Sequence, residues 1–225
     1  METFEEFCQK TLIVMATYNR KQITEMCLKN LNSFRHGTAL WVYDDHSTEI
    51  SMEELSIWAP GAEVRRAATK LGIEKLRLEI HREAQKQNFK YIYHTDNDAY
   101  HDPEWLRRLY EIRQKHDGLI GLYNTNLHYH NNISVNDDII MRKSCPGISF
   151  FYEISKLKEC PDKIYNSWDY VFGDKLAPAA ISKVSFVEHF GAGGIHNKDF
   201  NRDRAANPTP WLAEQRARLI PLLGG

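Results

Sequence analysis

This sequence is short of the features that mark membrane, secreted and polyanion-binding proteins. Its apolar runs are brief: the one from Leu12 to Ala16 is far below the roughly 20 residues that cross a bilayer as a helix. A membrane span is excluded on that ground, although attachment to a membrane surface is not. Neither sign of charge dominates. The 29 Lys+Arg stand against 30 Asp+Glu, a formal net charge of -1, so there is no global pull toward nucleic acid or anionic lipid. Any anionic partner has to be held by local charges or by a metal. Cysteines are few (Cys8, Cys27, Cys145 and Cys160), with neither a C-x-x-C pair nor zinc-ligand spacing. With no secretory leader in view, free thiols in a reducing cytoplasm are expected. Internal repeats and a convincing second domain are lacking as well.

What is present is an ordinary supply of core: 42% of 225 residues are hydrophobic, enough for one large α/β domain. Thr11-Leu-Ile-Val-Met-Ala16 is continuously apolar, as a buried parallel strand is. Helical spacing follows over 21–34 through Ile23, Met26, Cys27 and Leu31. A strand over 39–43, a short helix near 52–58 and a weak strand near 63–66 come next. Residues 72–87 form the clearest amphipathic helix, with Ile73, Leu76, Ile80 and Ala84 on one face. It leads into a strand at Tyr91–Thr95, and Pro103 is expected at the first position of a helix running to about Lys115. Such alternation predicts a mostly parallel sheet with helices on both faces. The second half is less regular: 123–136 is expected to be a loop, strand-like pieces return at 148–152 and 184–190, and a helix over 211–222 closes the chain.

The Tyr91 strand runs straight into Asp96-Asn97-Asp98. Ligands of open α/β sheets bind outside the carboxyl ends of the strands, and two carboxylates there suit a hard divalent cation carrying a phosphorylated ligand. Residue types alone leave other readings open. The acids could cap the next helix. A calcium loop is a poor match, because it wants Asp or Asn at Tyr100 and Gly at His101. Asp44-Asp45 ends the second strand on the same predicted edge and could accept from a base N–H or ribose hydroxyls, or form an ordinary Asp-rich turn. Three strand ends bearing Thr17/Asn19, Asp44/Asp45 and Asp96/Asp98 are harder to dismiss together.

These residues carry a resemblance. Thr17-Tyr18-Asn19-Arg20 resembles the T-Y-N-R signature of GT-A-fold glycosyltransferases of the family 2 type, and Asp44-Asp45-His46-Ser47-Thr48 resembles their D-D-x-S-T turn. Gly72 to Arg77 is similar to their Gly-x-x-x-x-Arg helix, and Asp96-Asn97-Asp98 matches their DxD motif. The set stands in the family's order over about 11–110. The resemblance implies a Rossmann-like nucleotide-diphospho-sugar transferase fold as a single domain over 1–225. About 1–122 would be its nucleotide-sugar half, and about 123–225 its acceptor half and terminal helix. It implies a donor pocket built from Thr17, Asn19, Arg20, Asp44, Asp45, Gly72, Asp96 and Asn97. Lys70, Lys75 or Arg77 would reach phosphate or ribose, unless they are solvated charges on a helix face. Asp96 would face ribose or metal, and Asp98 would ligate Mn²⁺ or Mg²⁺ on the diphosphate, where negative charge builds as the nucleotide leaves.

For the general base, Ser167-Trp168-Asp169-Tyr170 resembles the family's acceptor-side segment. Asp169 is the candidate and Asp174 the fallback, with a plain helix cap as the competing use of Asp169. A late histidine, His189 or His196, would complete the metal shell or touch the diphosphate, and the Gly191–Gly194 run would let backbone N–H groups approach phosphate. His128 and His130 are read as exposed or acceptor-contacting. Lys198, Arg202 and Arg204 form a local basic cluster able to hold phosphate.

The expected activity is metal-dependent, inverting transfer of a sugar from a UDP-linked donor to a hydroxyl acceptor. A glycan is the favoured acceptor, with a protein or a modified nucleic-acid base left open. A nucleotidyltransferase would want a Gly- and Lys/Arg-rich loop after the first strand, which Thr17–Lys21 is not. A non-catalytic carbohydrate- or nucleotide-binding module would lose the metal acids, which this chain keeps.

Overall fold

The computed structural model describes residues 2–126, 132–157, 175–176, 178–191 and 204–223. Helix α1 (Phe4–Lys10), opened by a capping box between Thr3 and Glu6, runs directly into strand β1 (Thr11–Thr17). Strict alternation follows: α2 (Lys21–Ser33), β2 (Ala39–Asp44), α3 (Met52–Trp58), β3 (Glu63–Arg66), α4 (Ile73–Gln85) and β4 (Tyr91–Asp96). Next come β5 (Ala99–His101), α5 (Trp105–Lys115), β6 (Ile120–Gly121), β7 (Asn132–Val135), β8 (Ile139–Arg142), β9 (Ser149–Glu153), β10 (Ala179–Ser182), β11 (Val187–His189) and α6 (Pro210–Leu219).

The main sheet has the order β3-β2-β1-β4-β9-β6-β10-β8-β7. Its first half, β3-β2-β1-β4, is parallel throughout, and β6 and β10 form a further parallel pair. Strand β9 enters antiparallel between them, and β8 and β7 finish the far edge antiparallel. A separate two-stranded ribbon pairs β5 with β11.

Every residue of β1 is buried because both faces of the sheet are covered. Ile13 and Met15 point into a core shared with Cys27, Leu28 and Leu31 of α2, Leu55 of α3, Trp105 and Leu109 of α5 and Leu212 of α6. Leu12, Val14 and Ala16 point the other way, to Leu76, Ile80 and Ala84 of α4 and to Phe150 and Tyr152 of β9. This two-sided burial is what a continuously apolar strand encodes. It leaves the carboxyl edge as the part of the parallel block free to carry chemistry.

Several local expectations are corrected. Pro103 is not at the first helical position: α5 begins at Trp105, whose N–H donates to the Asp102 carbonyl, while Asp102 Oδ1 accepts from Glu104 N. The 123–136 segment includes strand β7, and only 187–189 of the stretch 184–190 is strand. The pieces not anticipated, α1, β5, β6, β8 and β10, are short; β10 reads Ala-Ala-Ile-Ser, weak in intrinsic strand preference and held by its neighbours. Among the described residues no helix is long and apolar enough to cross a membrane. Cys8, Cys27 and Cys145 are buried free thiols, and Cys160 lies outside the described residues.

Candidate active site

The parallel register brings the strand ends level. Thr17 lies opposite Asp44, Ala16 opposite Asp96, and Asp44 opposite Arg66. The residues picked out by sequence on β1, β2 and β4 therefore share one edge, at the position where open α/β sheets hold ligands.

Many of them build that edge rather than present themselves to it. Asp44 is fully buried: it accepts from Ser47 N at 3.0 Å, from the Ser47 hydroxyl, and from Arg66 Nε at 2.6 Å. Asp45 accepts from Leu71 N at 2.6 Å and Gly72 N at 2.9 Å, fixing the entry to α4, where Gly72 holds a left-handed φ of 82°. Asn19 and Arg20 also carry positive φ, 52° and 60°, an uncommon state for residues with side chains and one often found at functional sites. Asn19 repays it by accepting from Thr48 N and Glu49 N at 2.8 and 3.3 Å. Asn97 turns inward, donating to Thr24 Oγ1 at 2.7 Å and to Thr17 Oγ1 at 3.3 Å. As folded, Asp44, Thr17 and Asn97 are buried and engaged with their neighbours.

Asp96 and Asp98 face different surroundings. The Asp96 side chain is 31% exposed and paired with the fully buried Arg77, whose guanidinium lies 5.0 Å from the Phe150 ring centroid. Burial lifts Asp96 to about 6, against the pull of Arg77 and with the Asp98 anion adding to the rise. Burial alone would raise Asp98 too. The His189 ring and the Arg20 guanidinium instead hold it well below the usual carboxylate range. His189 Nε2 stands 3.0 Å and Arg20 Nη1 2.6 Å from the same oxygen, Oδ2. Its other oxygen, Oδ1, is buried with no hydrogen-bond partner among the described residues, and such a lone pair is costly unless something takes it.

His189 reaches this position from the β5–β11 ribbon, whose Phe190 N donates to the Asp98 carbonyl at 2.8 Å. Gly191 makes room for the ring, since a Cβ there would lie 2.1 Å from His189 Nε2. Lys70 Nζ sits 3.8 Å over the Tyr18 ring, and Lys75 is exposed on α4. Asp169, Asp174, His196, His128, His130, Lys198 and Arg202 lie outside the described residues. Among the described residues no group of three or more His, Cys, Asp or Glu is gathered to hold a metal ion. The fit is that of one carboxylate oxygen, Asp98 Oδ1, beside Asp96 and His189. Sequence reading missed Arg66, Glu188 and Arg216, and it gave Gly191 a phosphate-approaching role rather than that of making room for His189. Only register or packing ties them to the site, and no spacing pattern announces that.

A parallel sheet block with level acids and guanidinium groups along its carboxyl edge, extended by a mixed half, defines a GT-A-type nucleotide-diphospho-sugar transferase fold. The profile of Glycosyl transferase family 2 matches residues 12–166, and the chain belongs to that family. The matched segment takes in Thr17, Asp44, Arg77 and Asp98 and stops short of Asp169 and His189. No curated protein matches the sequence. Among solved structures, S. aureus TarS 1-349 in complex with UDP-GlcNAc has TM-score 0.61 at 15% identity, over 80% of this chain and 58% of that one. S. aureus TarS 1-349 in complex with UDP has TM-score 0.59 at 15% identity, over 80% and 60%. S. aureus TarS has TM-score 0.57 at 18% identity, over 80% and 36%. These likenesses are of fold, and this chain spans less than two thirds of those proteins.

Proposed function

We propose that this chain transfers a sugar from a UDP-linked donor to a hydroxyl acceptor, by displacement with inversion, using a divalent cation at Asp98. The observation that carries the reading is the unequal acid pair at the end of β4. Asp98 is held ionised with a buried oxygen lacking a partner among the described residues, and Asp96 stands beside it, partly exposed and braced by Arg77. Family membership and the UDP and UDP-GlcNAc complexes of the TarS fold-relative support the choice of donor.

Mg²⁺ and comparable cations are commonly held by one or two carboxylates, with substrate phosphates and water filling the other positions. Asp98 Oδ1 would supply the protein's ligand, with Asp96 and His189 at hand. When bound, the cation would neutralise charge on the departing diphosphate. Arg20, 21% exposed and already drawn to Asp98, adds fixed positive charge on the same edge. Asp96, on a partly exposed strand end, is suited to accept from a ribose hydroxyl. Asp169 is the proposed base for the acceptor hydroxyl, on the strength of its sequence setting.

A thermal-shift series with UDP and UDP-sugars, with and without Mn²⁺, tests the donor site, because ligands that bind only the folded state raise its stability. The expected result is a Mn²⁺-dependent rise that Asp98→Asn abolishes. Equal shifts with and without Mn²⁺ would remove the cation from the reading, and no shift with any uridine nucleotide would sink the donor assignment. Asp169→Asn should retain the UDP shift while transfer falls by about a hundredfold or more, the usual scale for losing a general base; near-normal turnover would dismiss Asp169.

A further inference from the structure

Behind the acid pair lies a second concavity. Successive residues of a strand face opposite ways, so Glu188 points away from the side on which His189 meets Asp98. There, between the 204–208 segment and α6, is a cavity of about 560 Å³. Glu188 is 1% exposed and organises its back wall, accepting from Ala205 N at 3.0 Å and pairing with Arg216 at 3.0 Å. Ala206 N donates to the Asn124 carbonyl at 2.8 Å, so this wall is tied into the fold. Ala213 and Ala217, one turn apart on α6, keep the floor open, and Asn126 lines the rim.

The charge balance is positive. Arg216 neutralises Glu188, while Arg204 is exposed on the rim and makes no ion pair with the described residues. Guanidinium groups recognise phosphate and carboxylate through paired N–H donors. The volume exceeds what a bare anion needs and falls within the range of small-ligand pockets. Arg216 Nη1 also donates to the His189 carbonyl at 3.1 Å, so the groove and the acid pair share one strand.

We propose that this groove anchors a negatively charged group, a phosphate ester or carboxylate, carried by the acceptor. The assignment rests on the glycosyl-transfer reading. The groove borders the strand that bears His189 and none of the donor-side elements β1, β2 and β4, which places it on the acceptor side in that reading. The class of acceptor is then an acidic or phosphorylated hydroxyl compound.

Ligand-observed NMR on the whole chain, with UDP present to fill the donor crevice, tests this with glycerol 3-phosphate, glycerol and inorganic phosphate as probes. Glycerol 3-phosphate should bind, and Arg204→Glu and Ala217→Leu should each weaken it by about tenfold or more, an ordinary cost for losing a charged contact. Both substituted positions are exposed, so unchanged melting temperatures will show the variants folded. Equal binding by the variants, or by glycerol, would overturn the proposal. Inorganic phosphate binding as tightly as the ester would mark a free-anion site and overturn the acceptor assignment. UDP affinity is read separately in the same samples. Its absence would count against the donor reading, while the Arg204 and Ala217 comparison would still report on the groove.

Discussion

Replacing Gly191 with alanine isolates the contact that shapes the acid pair. Gly191 is not in the left-handed region, so its backbone accepts a side chain without strain, and any cost has to come from contact. The added Cβ would lie 2.1 Å from His189 Nε2 and 2.2 Å from Cε1, closer than atoms can stand, so the imidazole has to swing away. Its 3.0 Å bond to Asp98 is then lost, leaving Arg20 as the remaining side-chain partner of a buried carboxylate among the described residues. A hydrogen bond to a charged group is worth about 1.5–3 kcal/mol. For a chain of this size that corresponds to a melting temperature lower by about 3–12 °C. A double-mutant cycle in urea with His189→Ala separates this from other effects. With the ring gone, Gly191→Ala should cost less than about 0.5 kcal/mol, the ordinary scatter of independent sites. An equal cost in both backgrounds, or a neutral Gly191→Ala alone, would refute the argument that the glycine serves the histidine.

The remaining predictions concern acidity and the inward-turned acid. Burial pushes His101 down to about 3 and His94 well below its ordinary value. The unfolded chain therefore binds protons first as pH falls below about 6.5, and stability drops with pH. Asp96, raised to about 6, acts in the opposite sense between about 6 and 4 and offsets part of that loss. The net outcome in urea titrations should be a loss of stability as pH falls from about 6.5 toward 4, since burial lowers His81 and His116 as well; a flat or rising profile would count against neutral buried rings. Asp44→Ala should cost about 2–3 kcal/mol in the same assay by stranding Ser47 and Arg66. A cost near zero would mean that Asp44 is free to serve ligand instead.

The legible part of the fold was its parallel half. β1, β2 and β4 are apolar runs ending in polar residues, and α4 repeats Leu76, Ile80 and Ala84 at helical spacing, so local pattern and global burial agree. The far half was harder, because β6, β8 and β10 are too short to display a period and owe their state to sheet neighbours. At the site, Asp96 and Asp98 were visible as acids at a strand end, but their inequality was not. It arises because Arg77 comes from α4, Arg20 from a left-handed turn, and His189 from a position 91 residues along the chain. Asp44 and Asp45 looked like ligand-facing acids for the same reason Asp98 did. Register with Arg66, and the backbone N–H groups of residues 71 and 72, give both acids partners within the fold that no local pattern announces.

Helix α6 has a bearing on how this protein can be trimmed. The loop before Pro210 would look like a natural place to cut, with one modest helix beyond it. Yet Thr209 donates to Asp102, next to the ribbon strand that follows Asp98, and Arg216 grips both Glu188 and the carbonyl of His189. A shortened chain lacking α6 would lose Leu212 from the core beneath β1 and would also loosen the strand that delivers His189. That helix is in this sense both a clamp on the ribbon and a piece of the core, so a cut before it reaches the acid pair from behind.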